Sequence, residues 1–316
     1  MITVIGEALI DLLVDHDGHV HARPGGGPFN TARTMGRLGL APTFFGSLSE
    51  DTFGNLLQAR LDQDGVKLGV PHLIDAPTTL AVVDVDAGGA PRYRFYTGGT
   101  SASYLDYPLL VSALPSGVTA LHAGSLALVM EPIATSIERL ITVDVPADTL
   151  VMVDPNCRPD AISDRHTFKA RLSRILRRAD VVKVSMEDLA YLYPGATAAT
   201  AAAALLDQGS ELVLVTDGPR PAQAFLPGEQ FSVDVPPVHV VDTIGAGDAF
   251  GGAFLAWWSG NELSKPELHG AGPVREALAA AAEVASITCT RAGAEPPWLA
   301  ELDGKPGWGS SLSREG

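Results

Sequence analysis

The segment with the clearest chemical potential is the glycine-rich stretch at residues 242–255, DTIGAGDAFGGAFL. Its glycines precede an apolar run, which predicts a tight turn that opens a helix. The free backbone N–H groups and the positive dipole end of such a helix bind anions. Asp248 falls in the predicted first turn. An Asp is also favourable at a helix N-terminus that binds no ligand. However, a carboxylate repels an anion bound beside it, so its presence here favours a chemical role for Asp248.

A second glycine cluster occupies residues 25–30, GGGPFN, and a helical pattern follows up to residue 39. Pro28 suits the start of a helix, and Asn30 falls in its first turn. The three glycines indicate either backbone pressed against a ligand or a flexible loop. The local sequence favours neither interpretation.

Asp11 interrupts the apolar run at residues 8–14, ALIDLLV. A buried carboxylate is unfavourable unless it is paired or hydrogen-bonded. Asp11 is therefore a candidate for binding ligand hydroxyls, and the alternative is a structural salt bridge or a position at a sheet edge.

The histidines give weaker signals. His16, His19 and His21 suggest a metal site, but no cysteine or helical histidine pair accompanies them, so a solvated turn is the better interpretation. His122 has no evident base or nucleophile beside it and is interpreted as a packed histidine. The phosphate loop with Gly-Lys-Ser/Thr and the His-Glu-x-x-His motif are both absent from the sequence.

The elements that must position these residues follow an alternating pattern. Apolar runs at 151–154, 180–184 and 211–216 alternate with helical patterns at 164–178 and 185–193. This alternation predicts an α/β fold with a mostly parallel sheet. Ligands of such sheets bind outside the carboxyl ends of the strands. Polar residues follow each apolar run, so we expect a site at that edge.

The first third of the chain departs from this pattern. Two predicted hairpins, at about residues 8–23 and 80–97, have turn signals at residues 17–18 and 86–89. We interpret them as a small β appendage to the main sheet. No repeat or linker divides the sequence, so residues 1–316 are expected to form one domain, with a loose tail after Trp298.

Composition excludes several classes of protein. The 316 residues are 46% hydrophobic and carry 22 Lys+Arg against 37 Asp+Glu, a net charge of −15. Such an acidic chain is a poor partner for nucleic acid or anionic lipid. Two cysteines exclude a disulfide framework. The opening segment MITVIGEALIDLLVD is interpreted as a buried strand rather than a signal peptide. We expect a cytoplasmic globular protein without a membrane span.

Together, the two glycine segments resemble the signature segments of the ribokinase-like (PfkB) carbohydrate kinases. Residues 25–39 resemble the N-terminal signature and residues 242–255 the C-terminal one. The resemblance implies a ribokinase-like mostly parallel sheet flanked by helices, with a small β lid over a sugar. It also implies transfer of the γ-phosphoryl group of ATP, bound with Mg²⁺, to a sugar hydroxyl. It leaves a monovalent cation open, and an exposed lid sheet would allow a homodimer.

The resemblance also assigns roles to individual residues. Asp248 matches the catalytic base. The anion hole matches Gly245, Ala246 and Gly247, and the sugar-binding positions match Asp11, Gly26, Gly27, Asn30 and Arg158. The positions matching the nucleotide site are Lys183, Ser185, Thr216, Gly218, Ala285 and Thr288, and Asp188 matches a metal-associated position.

Three residues depart from the family pattern. Ser185 and Asp188 stand where many relatives carry Asn and Glu, and Phe29 replaces the commoner small residue before Asn30. The fructokinase branch is the most similar, which favours fructose as the substrate. A 2-keto-3-deoxygluconate kinase, a ribokinase and a nucleoside kinase are the alternatives within the class.

Two hypotheses lie outside the kinases. A dinucleotide-dependent oxidoreductase is disfavoured because its glycine fingerprint follows the first strand, whereas this one comes late and has Phe250 in place of the third glycine. A non-catalytic sugar sensor is disfavoured by the intact Asp248.

Overall fold

A computed structural model of the chain describes residues 1–14, 17–70, 73–85, 91–305 and 308. Its helices are α1 (Gly27–Arg37), α2 (Thr52–Gln63), α3 (Tyr107–Ala113), α4 (Ile133–Arg139), α5 (Arg165–Leu176), α6 (Met186–Leu192), α7 (Ala198–Asp207), α8 (Ala246–Gly260) and α9 (Ala271–Cys289). None of these helices combines the length and the apolar content that crossing a membrane requires.

The strands form two sheets. They are β1 (Ile2–Ile5), β2 (Leu9–Val14), β3 (Val20–Gly25), β4 (Thr43–Phe45), β5 (Lys67–Leu68), β6 (Leu80–Val85), β7 (Pro91–Tyr96), β8 (Ala120–Gly124), β9 (Leu150–Asp154), β10 (Val181–Ser185), β11 (Leu212–Asp217), β12 (Arg220–Leu226) and β13 (Glu229–Val233). Over the described residues, the main sheet has the order β13-β12-β11-β10-β9-β8-β1-β4-β5. It is parallel from β11 to β5, and β12 and β13 are antiparallel at one edge. The predicted α/β alternation is confirmed.

The main sheet is buried on both faces, which explains its almost continuous apolar strands. Along β9, Leu150 and Met152 pack into the core formed with α1, α2, α8 and α9. The alternate residues Val151 and Val153 pack into the opposite core with α3 to α7. Because successive side chains of a strand point to opposite faces, one apolar strand serves both cores.

The second sheet, here called the lid sheet, has the order β3-β2-β6-β7. The pairs β2–β3 and β6–β7 are antiparallel, in agreement with the two predicted hairpins, and β2 pairs with β6 in parallel. His16 and the predicted turn at residues 86–89 lie outside the described residues.

The sequence predicts a single strand for the opening segment, but the structure contains two. It forms β1 in the main sheet and then β2 in the lid sheet, with the change at residues 6–8. Gly6 lies against α1, where a Cβ atom would be 2.2 Å from Pro28 Cγ, so a side chain does not fit. Both strands are apolar, and hydrophobicity alone could not separate them. The break brings Glu7 and Asp11 towards the carboxyl edge of the main sheet.

The tail predicted to be loose is anchored at several of its described residues. Leu302 is fully buried in the core, and Lys305 forms an ion pair with Glu283 of α9 at 2.9 Å. Trp308 is only 4% exposed, and its indole N–H donates to the Ala280 carbonyl of α9 at 3.2 Å. The expectation is therefore wrong at these three residues, two of which bury apolar side chains against the core.

Candidate active site

A cavity of about 1000 Å³ lies between the carboxyl edge of the main sheet and the lid sheet. Its walls come from β2 and β7, from the loops after β9, β10 and β11, and from the first turn of α8. This is the edge at which the sequence predicts a site. The predicted site residues that line it are Asp11, Gly26, Gly27, Asn30, Arg158, Lys183, Ser185, Asp188, Thr216, Gly218, Gly245, Ala246, Gly247, Asp248 and Ala285.

Thr288 is the predicted site residue that the structure places elsewhere. It is fully buried, and its hydroxyl donates to the Val284 carbonyl at 2.8 Å. The face of α9 that lines the cavity carries Ala282, Ala285, Ser286 and Cys289. These positions follow the spacing of one helical face, which position 288 does not share.

The position of Asp248 follows from how α8 begins and packs. The N-cap residue Gly245 has φ 75°, and a Cβ atom there would be 2.3 Å from the Cβ of Ala294, so only glycine fits. Further along, a Cβ at Gly252 would be 2.7 Å from the Thr31 carbonyl, which shows how closely α8 approaches α1. This packing brings Asp248 of α8 against the first turn of α1.

The carboxylate of Asp248 is held by two amides. Asn30 Nδ2 donates to its Oδ2 at 2.9 Å, and Asn156 Nδ2 donates to its Oδ1 at 3.4 Å. Burial raises the pKa of Asp248 above its usual value, while the Asn30 hydrogen bond and the charges of Lys183 and Arg158 lower it. The result is a buried carboxylate of fixed orientation that accepts a proton more readily than an ordinary aspartate.

The first turn of α8 presents unpaired backbone donors. Ala246 N–H donates to the Thr243 carbonyl at 3.2 Å, so it already has a partner within the turn. Among the described residues, the N–H groups of Gly245, Gly247 and Asp248 have no acceptor. Such free donors at a helix N-terminus are suited to bind an anion. The donor set therefore differs by one residue from the predicted set at 245–247.

A buried cation lies beside this turn. Lys183 Nζ donates to Asp154 Oδ2 at 2.9 Å, and both side chains are almost fully buried. Burial lowers the pKa of Lys183, but the neighbouring Asp154 carboxylate raises it to a net value above the ordinary one. Burial raises the pKa of Asp154 to about 6. A Cβ atom at Gly247 would be 2.8 Å from Lys183 Nζ, so the missing side chain lets the ammonium approach the turn.

On the lid side of the cavity, Asp11 is half-buried, and its carboxylate accepts no hydrogen bond among the described residues. Burial raises its pKa to about 7, and the charge of Asp248 adds to this effect, whereas Arg158 and Arg23 oppose it. A half-buried carboxylate that lines a cavity and has no protein partner is available to a ligand.

The glycines Gly26 and Gly27, at the start of α1, are not a flexible loop. Gly26 has φ 110°, and a Cβ there would be 2.6 Å from the Glu7 carbonyl oxygen. The N–H of Gly27 donates to Glu7 Oε1 at 3.1 Å. Both glycines are pressed against the protein's own chain, and both line the cavity.

Glu7 is a cavity residue that sequence reasoning did not assign. It is fully buried, its Oε2 accepts the N–H of Ala127 at 2.9 Å, and burial raises its pKa to about 7. Ser125 was missed as well, and Asn156 was noted only among the polar residues that follow the apolar runs, without a role. Their φ values are 59° and 38°. All three follow strands of the main sheet at their carboxyl ends, and this position is the signal that could have identified them.

Two departures from the family pattern have structural explanations. Both oxygens of Asp188 are engaged, because Oδ1 accepts the N–H of Cys157 at 2.6 Å and Oδ2 accepts the N–H and the hydroxyl of Ser185. These bonds favour a structural role, and metal binding by Asp188 stays a prediction. Phe29 is buried with its ring edge-on to Phe44, so this departure points into the core rather than into the cavity.

The described residues contain no cluster of three or more His, Cys, Asp and Glu side chains suited to hold a metal ion. His122 is buried, and burial lowers its pKa to about 3, so it is a neutral packed histidine, as predicted.

Comparison with known proteins decides the family. The pfkB family carbohydrate kinases match residues 1–301. The chain belongs to the pfkB family. It is therefore an ATP-dependent sugar kinase, and the oxidoreductase and sensor hypotheses are excluded.

Relatives of this pfkB kinase include fructokinases. The fructokinase of Rhizobium leguminosarum bv. trifolii is 34% identical over 260 residues, which cover 81% of this chain and 79% of that protein. A crystal structure of fructokinase from Xylella fastidiosa with bound ATP has a TM-score of 0.83 at 30% identity and covers 93% of each chain. Fructokinase from Vibrio cholerae O395 with fructose, ADP and a calcium ion has a TM-score of 0.79 at 29% identity, covering 93% of this chain and 94% of that one. The expected ribokinase-like fold is confirmed.

Proposed function

We propose that this pfkB kinase is a fructokinase that transfers the γ-phosphoryl group of Mg²⁺-bound ATP to a hydroxyl of fructose. The relatives described above are named fructokinases, and one of them binds fructose, which supports fructose as the substrate. The observation that carries the reaction is the position of Asp248, whose amide-held carboxylate shares one cavity with the free N–H groups of α8.

Phosphoryl transfer depends more on positioning and charge stabilisation than on covalent help from the protein. The attacking hydroxyl gives its proton to Asp248 as its oxygen bonds to the γ-phosphorus and the bond to the β–γ bridging oxygen breaks. Asn30 and Asn156 keep the accepting carboxylate oriented. The N–H groups at the start of α8 stabilise the charge on the phosphoryl oxygens.

Sugar recognition belongs to the other side of the cavity. Asp11 accepts hydrogen bonds from sugar hydroxyls, and the guanidinium of Arg158 donates to them. Tyr93 and Phe95 of β7 stack with ring centroids 6.0 Å apart and line the cavity from the lid sheet. Their apolar surface excludes water, which would otherwise compete as the phosphoryl acceptor. We infer that residues 1–316 act as one unit and that the lid sheet closes over the sugar.

The nucleotide occupies the remaining part of the cavity, between residues 216–218 and the face of α9 that carries Ala285. When bound with ATP, Mg²⁺ neutralises charge on the phosphates. The oxygens of Asp188 are occupied by the chain, and Glu187 beside it lines the cavity. Mg²⁺ usually keeps several waters and phosphate oxygens as ligands, so a single carboxylate beside the phosphates is enough to hold it. Glu187 is the residue that would hold it.

The test is an ADP-release assay with ATP, Mg²⁺ and separate samples of fructose, ribose, 2-keto-3-deoxygluconate and a nucleoside. ADP formed with fructose at a kcat/KM well above the others supports the proposal, and phosphorus NMR of the product identifies the hydroxyl. If ADP forms mainly with another of these acceptors, the proposal of fructose as the substrate is wrong and that acceptor takes its place.

A further inference from the structure

Arg23 of β3 occupies a position between the two sides of the cavity. In the β2–β3 register it lies directly opposite Asp11, and opposite residues of an antiparallel pair share one face of the sheet. Its Nη1 donates to Asp242 Oδ2 at 3.0 Å, in an ion pair whose side chains are 35% and 18% exposed. Asp242 belongs to the segment that leads into α8, so this contact joins the lid sheet to the phosphate side.

Asp242 braces the turn that opens α8 from two directions. Its Oδ1 accepts the N–H of Ile244 at 3.0 Å, directly before Gly245. Its Oδ2 accepts the N–H of Gly293 at 2.8 Å. The next residue, Ala294, is the one that lies against Gly245. The conformation of the turn therefore depends on the position of the Asp242 carboxylate.

Arg23 also acts through its charge. Asp242 carries a negative charge close to the donors that would receive an anionic phosphate, and the guanidinium of Arg23 offsets it. The charges of both residues reach Asp11, where Arg23 lowers the pKa and Asp242 raises it. One arginine is thus electrostatically linked to the candidate sugar ligand and to the brace of the phosphate-binding turn.

We propose that Arg23 is a positioning residue that couples sugar binding to ATP binding. The inference rests on the proposed function. A sugar held by Asp11 fixes β2 and, through the register, β3, and this keeps Arg23 on Asp242 and the turn in its binding conformation. By thermodynamic linkage, ATP strengthens sugar binding by the same factor. The enzyme therefore binds its two substrates synergistically.

The test measures the affinity of β,γ-methylene-ATP with Mg²⁺ by calorimetry, with and without saturating sugar. In the wild type we expect the sugar to tighten binding at least about fivefold, the lower end of typical coupling between sites. Arg23→Ala should reduce this ratio to less than about twofold, because the link is removed. Arg23→Lys keeps the charge and should restore part of it. Arg94→Ala removes an exposed arginine from β7 of the same sheet and should leave the ratio unchanged.

A wild type without coupling would overturn the inference. So would an Arg23→Ala variant that keeps the wild-type ratio, even with a lower melting temperature, because that combination describes a purely structural ion pair. Combining Arg23→Ala with Asp242→Asn should lower the ratio no further than Asp242→Asn alone if the two residues act as a pair. The sugar in these titrations is the one that yields ADP. If that sugar is not fructose, the proposed substrate fails while the coupling is still tested.

Discussion

The phosphate side and the sugar side of the cavity are built on different foundations. The phosphate side lies on α8, which is buried from residue 248 to residue 258 between α1 and α9. The sugar side lies partly on the lid sheet, where the first half of β3 is exposed and the outer part of β2 is half-buried. Transfer chemistry therefore depends on core packing, whereas sugar recognition depends on a thin sheet with little core of its own.

Two of the carboxylates that line the cavity, Asp248 and Asp11, show the same contrast. Asp248 is oriented by two amides before any ligand arrives, which is the preorganisation that charge stabilisation in a reaction requires. Asp11 is half-buried and has no donor among the described residues, so a ligand can supply the hydrogen bonds that the protein does not. Substitutions on the two sides should therefore change different kinetic constants.

The largest effect is expected for Asp248→Asn. Asn is nearly isosteric but cannot accept the proton of the hydroxyl, so kcat should fall by about 10²–10⁴-fold. Substrate binding should remain, and the loss of repulsion between carboxylate and phosphate should tighten ATP. Steady-state kinetics and calorimetry measure the two effects, and Asp62→Asn on the exposed side of α2 is the control. A variant that keeps more than about a tenth of wild-type kcat, with chemistry rate-limiting, would rule out Asp248 as the base.

A backbone change on the same side comes next. In Gly245→Ala the added methyl group meets Ala294 and the residue must hold a positive φ, so the turn shifts and its N–H donors move. We expect kcat to fall by about 10²-fold, as when one such donor is lost. Gly272→Ala in α9 is the matched control, because a Cβ there meets no atom within 4 Å. Equal kcat values for the two variants would show that the turn is not the anion site.

On the sugar side, Asp11→Ala should raise the KM for the sugar at least about tenfold, since a hydrogen bond to a charged group contributes about 1.5–3 kcal/mol. The KM for ATP should change much less. Asp17→Ala, in the turn of the same hairpin, should leave the sugar KM unchanged. Normal sugar saturation in Asp11→Ala, combined with reduced thermal stability, would make Asp11 structural.

The smallest effect concerns stability and pH. Burial raises the pKa of Asp11 to about 7, so the native state favours the protonated acid. The associated stabilisation is complete below the unfolded pKa of about 4 and is lost as the pH rises through about 7. Asn does not titrate. Without sugar, the melting temperature of the wild type should therefore fall relative to that of Asp11→Asn, by at least about 2 °C between pH 5 and pH 8. Parallel melting curves at both pH values would contradict the raised pKa.

Much of the phosphate side could be predicted because its signals are local. The spacing of Gly245, Gly247 and Asp248 defines a helix start within a few residues, and the apolar runs at β9 to β11 define the sheet edge. The alanine-rich stretch at residues 277–285 also indicates a helix, but it does not fix which face of α9 meets the cavity. Of the two α9 positions expected at the nucleotide site, Ala285 therefore lines the cavity and Thr288 does not.

The parts that could not be predicted depend on distant contacts. Glu7 binds the N–H groups of Gly27 and Ala127, which are 20 and 120 residues away in sequence. Arg23 and Asp242 are 219 residues apart. No local pattern encodes such pairs, because they exist only after the main sheet and the lid sheet have assembled.

The change of sheet at residues 6–8 has a consequence for how such an enzyme can diversify. Residues 9–25 and 80–96 carry the lid strands, and the first of these segments leaves the core after β1 and returns to it at α1. A hairpin whose two ends are joined to fixed core elements can be replaced as a unit by the corresponding hairpin of another protein. Replacing both segments by those of a homologue would change the residues that face the sugar and would leave α8 unchanged. New acceptors could thus be acquired by recombination of short segments, without rebuilding the catalytic helix.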